Sequence, residues 1–179
     1  MVYLLNQTPN RYRWVSIVEN DDDWGLQVAN LKGNSVGPDF GPINIEWTPE
    51  TINRDICDFP NFRPNLLCIS RRAADILRAI LEPEGELIDL CGLDDRYMAF
   101  YCLNVVNALS HIDIKPDETR FGTFHSPTFA PTLSSIALPS AEIFRIPESI
   151  SKLFVSERFK YLCDSNSLTG LEFVKTPLT

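Results

Sequence analysis

A cysteine or serine nucleophile needs a histidine within reach and an acid to orient it. The chain has two histidines, His111 and His125, and five cysteines, Cys57, Cys68, Cys91, Cys102 and Cys163. Cys102 and His111 could meet in space. No local nucleophile signature lies beside either histidine. A loop that cradles phosphate would read G-x-G-x-x-G or carry a Walker lysine, and neither pattern occurs. A zinc site needs clustered Cys and His, and there is no C-x-x-C. These residues therefore point to reduced structural thiols, with no catalytic residue, no metal and no cofactor. A small cytosolic hydrolase using Cys or His is the alternative they leave open.

The acidic side chains are candidates for recognition. Asp21, Asp22 and Asp23 precede Trp24-Gly25, and Asp94 and Asp95 follow Cys91-Gly92-Leu93. Runs of like charge resist burial, so both read as exposed turns. A cationic partner could dock on them, although a solvated loop is the simpler reading of either. Arg71 and Arg72 pose a different question. They fall in the first turn of a helix, where the macrodipole disfavours cations by about a few tenths of a kcal/mol. Asp75, at i+4 and i+3, could pair with them, or a carboxylate elsewhere in the fold could do so. Arg158 holds the matching place in a second helix. Structural ion pairs involving Arg71, Arg72, Asp75 and Arg158 are the preferred reading, and an anion site is the lesser one.

The elements that must position these groups follow from periodicity. Ser70 can cap a helix over Arg71 to Leu81, with Ala73, Ile76, Leu77 and Ile80 on one face. Pro83 and Gly85 stop it, and Leu87, Ile88 and Leu90 return as a strand. Tyr97 to Val106 is nearly continuous in apolar residues, as in a strand covered on both faces. Val2 to Leu5, Trp14 to Val18, Ile43 to Trp47, Ser135 to Leu138 and Glu142 to Ile146 also read as strands. The stretch 115–141 is rich in Pro, Ser and Thr and reads as a surface connection. A shorter helix over about 157–163 carries Phe159, Leu162 and Cys163. Leu153 to Phe159 echoes Leu67 to Ala73, each with an apolar run, a serine cap and an arginine. Either a helix–strand unit is duplicated or two short amphipathic helices match by chance. The fold class is α+β, a mixed or antiparallel sheet with a main helix and a shorter C-terminal one. A single domain over 1–179 is expected, or two lobes joined at 115–141.

Composition narrows the partners. The net charge is −8, and residues 1–110 hold 16 of the 24 acidic side chains against 9 of the 16 basic ones. Nucleic acid and anionic membranes need a basic face, so neither is an expected partner. A basic protein steered by charge is compatible. No apolar run reaches the ~20 residues of a membrane helix. The first residues lack the pattern of a signal peptide, so the expected location is the cytoplasm.

Several stretches resemble a family of bacterial immunity proteins encoded beside polymorphic toxins. They are Asp58-Phe59-Pro60, Ser70 to Leu90 with its S-x-R-A opening and G-E-L, Tyr101 to Leu109, Ile143 to Pro147 (IFRIP), and Phe154 to Val174 (FVSERF, then TGLEFV). They cover roughly the last two thirds of the chain, and Cys57 stands where a glycine would be expected before the acidic F-P motif. The resemblance implies an α+β fold, no catalytic activity, and binding of a cognate toxin that the producer also makes. It names neither the toxin nor the contact residues. The acidic bias suits a basic toxin such as a nuclease, bound through Asp21, Asp22, Asp23, Asp94 and Asp95. An adaptor that loads a toxin for export is a further alternative. The sequence says nothing of oligomeric state.

Overall fold

Serine ends a strand and starts a helix at two places, and the architecture grows from both. The computed structural model describes residues 1–8, 10–18, 34–37, 40, 42–63, 65–115, 128–138 and 140–179, of which 112–115 and 128–130 are described in backbone only. In the first unit, β4 (Leu67–Ser70) leads into α1 (Arg71–Leu81) and then β5 (Gly85–Cys91). In the second, β10 (Ser149–Ser156) leads into α2 (Glu157–Ser165) and then β11 (Leu171–Lys175). Ser70 Oγ accepts from Ala73 N–H at 3.1 Å, and Ser156 Oγ accepts from Phe159 N–H at 3.1 Å. Each bond satisfies one of the donors that a helix start leaves unpaired.

The two units share one topology. A strand from elsewhere in the chain inserts between the parallel strands of each. β6 (Tyr97–Cys102) lies antiparallel between β4 and β5, with Phe100 opposite both Leu67 and Leu87. β1 (Val2–Gln7) lies antiparallel between β10 and β11, with Leu4 opposite both Phe154 and Val174. β9 (Ile143–Ile146) completes a four-stranded sheet, β11-β1-β10-β9. β2 (Val15–Ile17) and β3 (Ile43–Trp47) extend the other to β2-β3-β5-β6-β4.

Both helices pack between the sheets in one core. Ala73, Leu77 and Ile80 of α1 and Phe159 and Cys163 of α2 meet Tyr3, Ile69, Phe100, Ile143 and Val155 there. Ala74 and Leu81 are buried as well, while Ile76 is only half-buried. The outer sheet faces are also covered. Cys68, Tyr97, Ala99 and Tyr101 lie in a second cluster, and Val2, Leu4, Phe144 and Phe154 in a third. Burial on both faces accounts for the unbroken apolar run in β6.

The strand expected over Tyr97 to Val106 stops at Cys102. The N–H groups of Leu103 and Asn104 leave the ladder and donate to Glu84 O at 2.9 and 3.2 Å. The stretch read as a connection carries regular structure at both ends: β7 (Leu109–Lys115) pairs antiparallel with β8 (Thr128–Leu133). The strand expected at Ser135 to Leu138 is instead a 310 turn over Ser135–Ala137. No helix among the described residues is long and apolar enough to cross a membrane.

Candidate functional site

The expected contact residues divide at the boundary of what the structure describes. Asp21, Asp22 and Asp23 lie outside the described residues, as does His125. Asp94 and Asp95 stand in a solvent-exposed turn of unusual hand. Leu93, Asp94 and Asp95 have φ of 52°, 58° and 51°. Three successive left-handed residues strain an L-amino-acid backbone, and aspartate tolerates that region better than most. Gly92 opens the turn at φ 100°, where a Cβ would stand 2.4 Å from Ile45 O.

Arg71 secures this turn. Its N–H donates to Arg96 O at 2.8 Å, its Nε donates to Asp95 O at 2.7 Å, and its Nη2 reaches Asp89 at 3.1 Å. Asp95 N–H also closes on Gly92 O at 2.9 Å. The Asp94 carboxylate is exposed with Arg96 3.5 Å away, while the Asp95 carboxylate, also exposed, accepts from Gly92 N–H at 3.3 Å. Beside the turn lies an open groove of about 650 Å³, lined in part by Glu86, Asp89, Asp95 and Arg71. These acids and the arginine that orders them form the candidate contact surface.

Asp75 is not the partner of Arg71 or Arg72. It pairs with Arg78 at 2.8 Å, and Arg78 also holds Glu82 at 2.8 Å, one helical turn on. Arg72 reaches Asp58 at 3.4 Å and donates to Asn166 O at 2.6 Å. Arg158 reaches Glu142 at 3.1 Å. The longer reach lets the first-turn arginines find carboxylates outside their own helices.

These contacts repeat between the units. Ser70 Oγ donates to Asp58 at 2.7 Å, and Ser156 Oγ donates to Glu142. Ser70 N–H donates to Asp58 O at 2.7 Å, and Ser156 N–H to Glu142 O at 2.9 Å. Each acid is also touched by the segment that follows the other unit's helix. Thr169 N–H donates to Asp58 at 3.0 Å, and Glu142 N–H donates to Glu84 at 3.3 Å. The sequence reading passed over Asp58, Asp89, Glu142 and Arg145. The signal for Asp58 was its place in D-F-P, and for Glu142 its place just before IFRIP.

Burial sets the acidity of four of the thiols, and Cys91 is only partly buried. All five are free. Burial pushes Cys57 and Cys163 up to about 12 and Cys68 well above its ordinary value. Burial also raises Cys102 to about 11, with the charge of Arg145 holding it back. A thiol that stays protonated at neutral pH is a poor nucleophile. Cys102 is buried against backbone carbonyls, while His111 is exposed on β7. Among the described residues, no group of three or more His, Cys, Asp or Glu could hold a metal ion. Cys57 is not in the left-handed region, so no glycine is needed there.

One pattern escaped the sequence reading. Gly33-Asn34-Ser35-Val36-Gly37 satisfies G-x-S-x-G. Residues 34–37 are irregular, which is not the strand-to-helix elbow that nucleophile needs. Ser35 Oγ donates to Glu86 at 2.5 Å and accepts from Gly37 N–H at 3.2 Å.

The raised thiol values carry a pH dependence with a definite sign. In the unfolded chain the thiols lose protons near the ordinary 9.0, while in the fold they keep them to about 11 or 12. Their contribution to stability is complete below pH 9.0 and is lost as pH rises through those folded values. Melting temperature under reducing conditions is expected to fall between about pH 9 and 11, and less steeply after Cys57→Ala and Cys163→Ala. An unchanged slope in the double variant contradicts this assignment.

No protein-family model matches the chain. A curated protein of Bacillus subtilis (strain 168), named "Putative ATP-dependent DNA helicase YjcD", is 26% identical to it over 166 residues. The alignment takes in 83% of this chain and 20% of that protein, so the chain spans about a fifth of the relative's length.

Proposed function

We propose that the chain is an immunity protein, which binds a cognate bacterial toxin in the cytoplasm and neutralises it by stoichiometric occlusion without catalysis. What carries the reading is the convergence of the stretches that resemble immunity proteins. Asp58 of D-F-P, Ser70 and Arg72 of the helix opening, and Thr169 of the T-G-L-E-F stretch meet at one point. Ser156 and Arg158 of FVSERF meet Glu142, next to IFRIP, at the other. Motifs that anchor one fold support a family likeness better than motifs scattered over a surface.

A Cys hydrolase is the weaker reading, because burial holds Cys57, Cys68, Cys102 and Cys163 protonated. The name of the Bacillus subtilis protein mentions DNA. A nucleic-acid partner is not part of our proposal, since a chain of net charge −8 repels a phosphate backbone.

The proposed contact surface is the acidic turn, with Asp21, Asp22 and Asp23 as further contacts, and the partner is a basic toxin such as a nuclease. Co-purification with the toxin encoded next door tests the binding. Asp94→Asn with Asp95→Asn should slow association about two- to tenfold at low salt, and the difference should shrink as salt rises. The change in folding stability should stay below about 1 kcal/mol, because the charges are solvated and asparagine at position 95 keeps an acceptor for Gly92 N–H. Association as fast as wild type at every salt concentration removes this turn from the interface.

A further inference from the structure

Several cations of the described surface are matched, while Lys152 and Lys175 are in no ion pair there. Arg71, Arg72, Arg78, Arg96, Arg158 and Lys160 each face a carboxylate. Arg11 and Arg13 have no such partner among the described residues, and they stack on aromatic rings instead. Arg11 Cζ stands 5.2 Å from the Tyr12 ring centroid, and Arg13 Cζ stands 5.6 Å from that of Trp47. Beside them, Arg54 Cζ stands 5.6 Å from the Trp14 ring. Arg13 Nε donates to Arg54 O at 2.9 Å, which joins Arg13 and Arg54, and Arg11 lies two residues before Arg13 in the chain.

The rings beneath are fastened by packing and hydrogen bonds. Trp47 meets Tyr97 edge-on at 5.7 Å, and Tyr97 is buried with its hydroxyl donating to Cys57 O at 2.9 Å. Tyr12 and Trp14 are bridged to Asp55 and Asn61 through the backbone, and Trp14 N–H donates to Thr51 Oγ1 at 2.9 Å. Ile52 and Ile56 flank Arg54 in sequence and are 43% and 45% exposed.

We propose that this arginine–aromatic surface binds an acidic peptide segment of a partner protein. Arg11 and Arg13 fork onto its carboxylates, and Ile52 and Ile56 take its apolar side chains. Stacking restricts each guanidinium plane, so less freedom is lost when a carboxylate docks. Arginine, tryptophan and tyrosine are also the residues that dominate protein interfaces energetically. The acid excess of the rest of the chain repels such a segment elsewhere, which fixes where it docks. Nucleic acid fits less well. The rings already carry guanidiniums where a base would stack. The inference is independent of the toxin reading, and its test uses no toxin.

The test is selection of a phage-displayed random dodecapeptide library on the immobilised full chain. Retained peptides should be rich in Asp and Glu interleaved with apolar residues. A synthetic peptide from that pool should change tryptophan fluorescence on binding. It should bind about tenfold more weakly to Arg11→Gln and to Arg13→Lys, which keeps the charge and loses the fork. Its Asn/Gln counterpart should not bind. Arg11 is exposed, so Arg11→Gln should melt with wild type and decides the matter if Arg13→Lys is unstable. The proposal is overturned by failure to retain any peptide or by retention without acidic enrichment. Equal binding to Arg11→Gln, or tighter binding of an oligothymidine strand, also overturns it.

Discussion

Arg145→Met is expected to destabilise the protein by roughly 2–6 kcal/mol, about 1–3 kcal/mol for each of two carbonyls that lose their donor. Arg145 is 1% exposed, in the middle of β9. Among the described residues no carboxylate pairs with it. Its Nη1 donates to Ile150 O at 2.9 Å and its Nη2 to Asn65 O. Its guanidinium lies 4.8 Å over the Tyr101 ring. One side chain thus joins the irregular start of β10, the loop before β4, and the face of β6, and so ties the two sheets together. Methionine fills much of the volume but leaves both carbonyls without donors. Burial already draws the guanidinium pKa down, which marks the cost of holding a cation there. Chemical denaturation measures the loss. A change under about 1 kcal/mol would mean that the carbonyls find other donors and that Arg145 ties nothing together.

Leu77→Ala is the second large effect, at roughly 2–5 kcal/mol. Leu77 is 0% exposed at the centre of α1, within the core that both sheets and both helices build. Alanine keeps the helix propensity, so the loss reports packing alone. The cavity would be walled on several sides and could close only partly. The matching change at Ile76, which is half-buried, should cost clearly less. Equal losses at the two positions would contradict the assigned face of α1.

The main helix was legible because its signals are local. A serine cap, apolar spacing and a Pro-x-Gly stop all lie within one stretch, and α1 has the bounds they imply. The end of β6 was not legible, because it depends on Glu84, which draws Leu103 and Asn104 out of the ladder. The β7–β8 hairpin was hidden by composition. Pro131 sits within β8, and proline argues against a strand unless the missing N–H falls where no bond is needed. The exposure of Asp94 and Asp95 could be read from charge alone, but their left-handed turn and its fastening by Arg71 could not. Partners of first-turn arginines are set by tertiary structure, as Arg72 with Asn166 shows. The likeness between the two units was visible as an echo of serine, arginine and apolar residues. Only the inserted strands β6 and β1 make it a shared topology.

The central claim is that this chain neutralises a toxin by binding it, and protection in cells tests that most directly. A sensitive bacterial host would express the product of the gene neighbouring this chain's, as the proposed toxin, from an inducible promoter, with and without the chain. The account predicts that cells survive only when the chain is present in at least equimolar amount, and that the two proteins elute together with the toxin inactive. Toxin killing that is undiminished by the chain, with no complex formed, would contradict it.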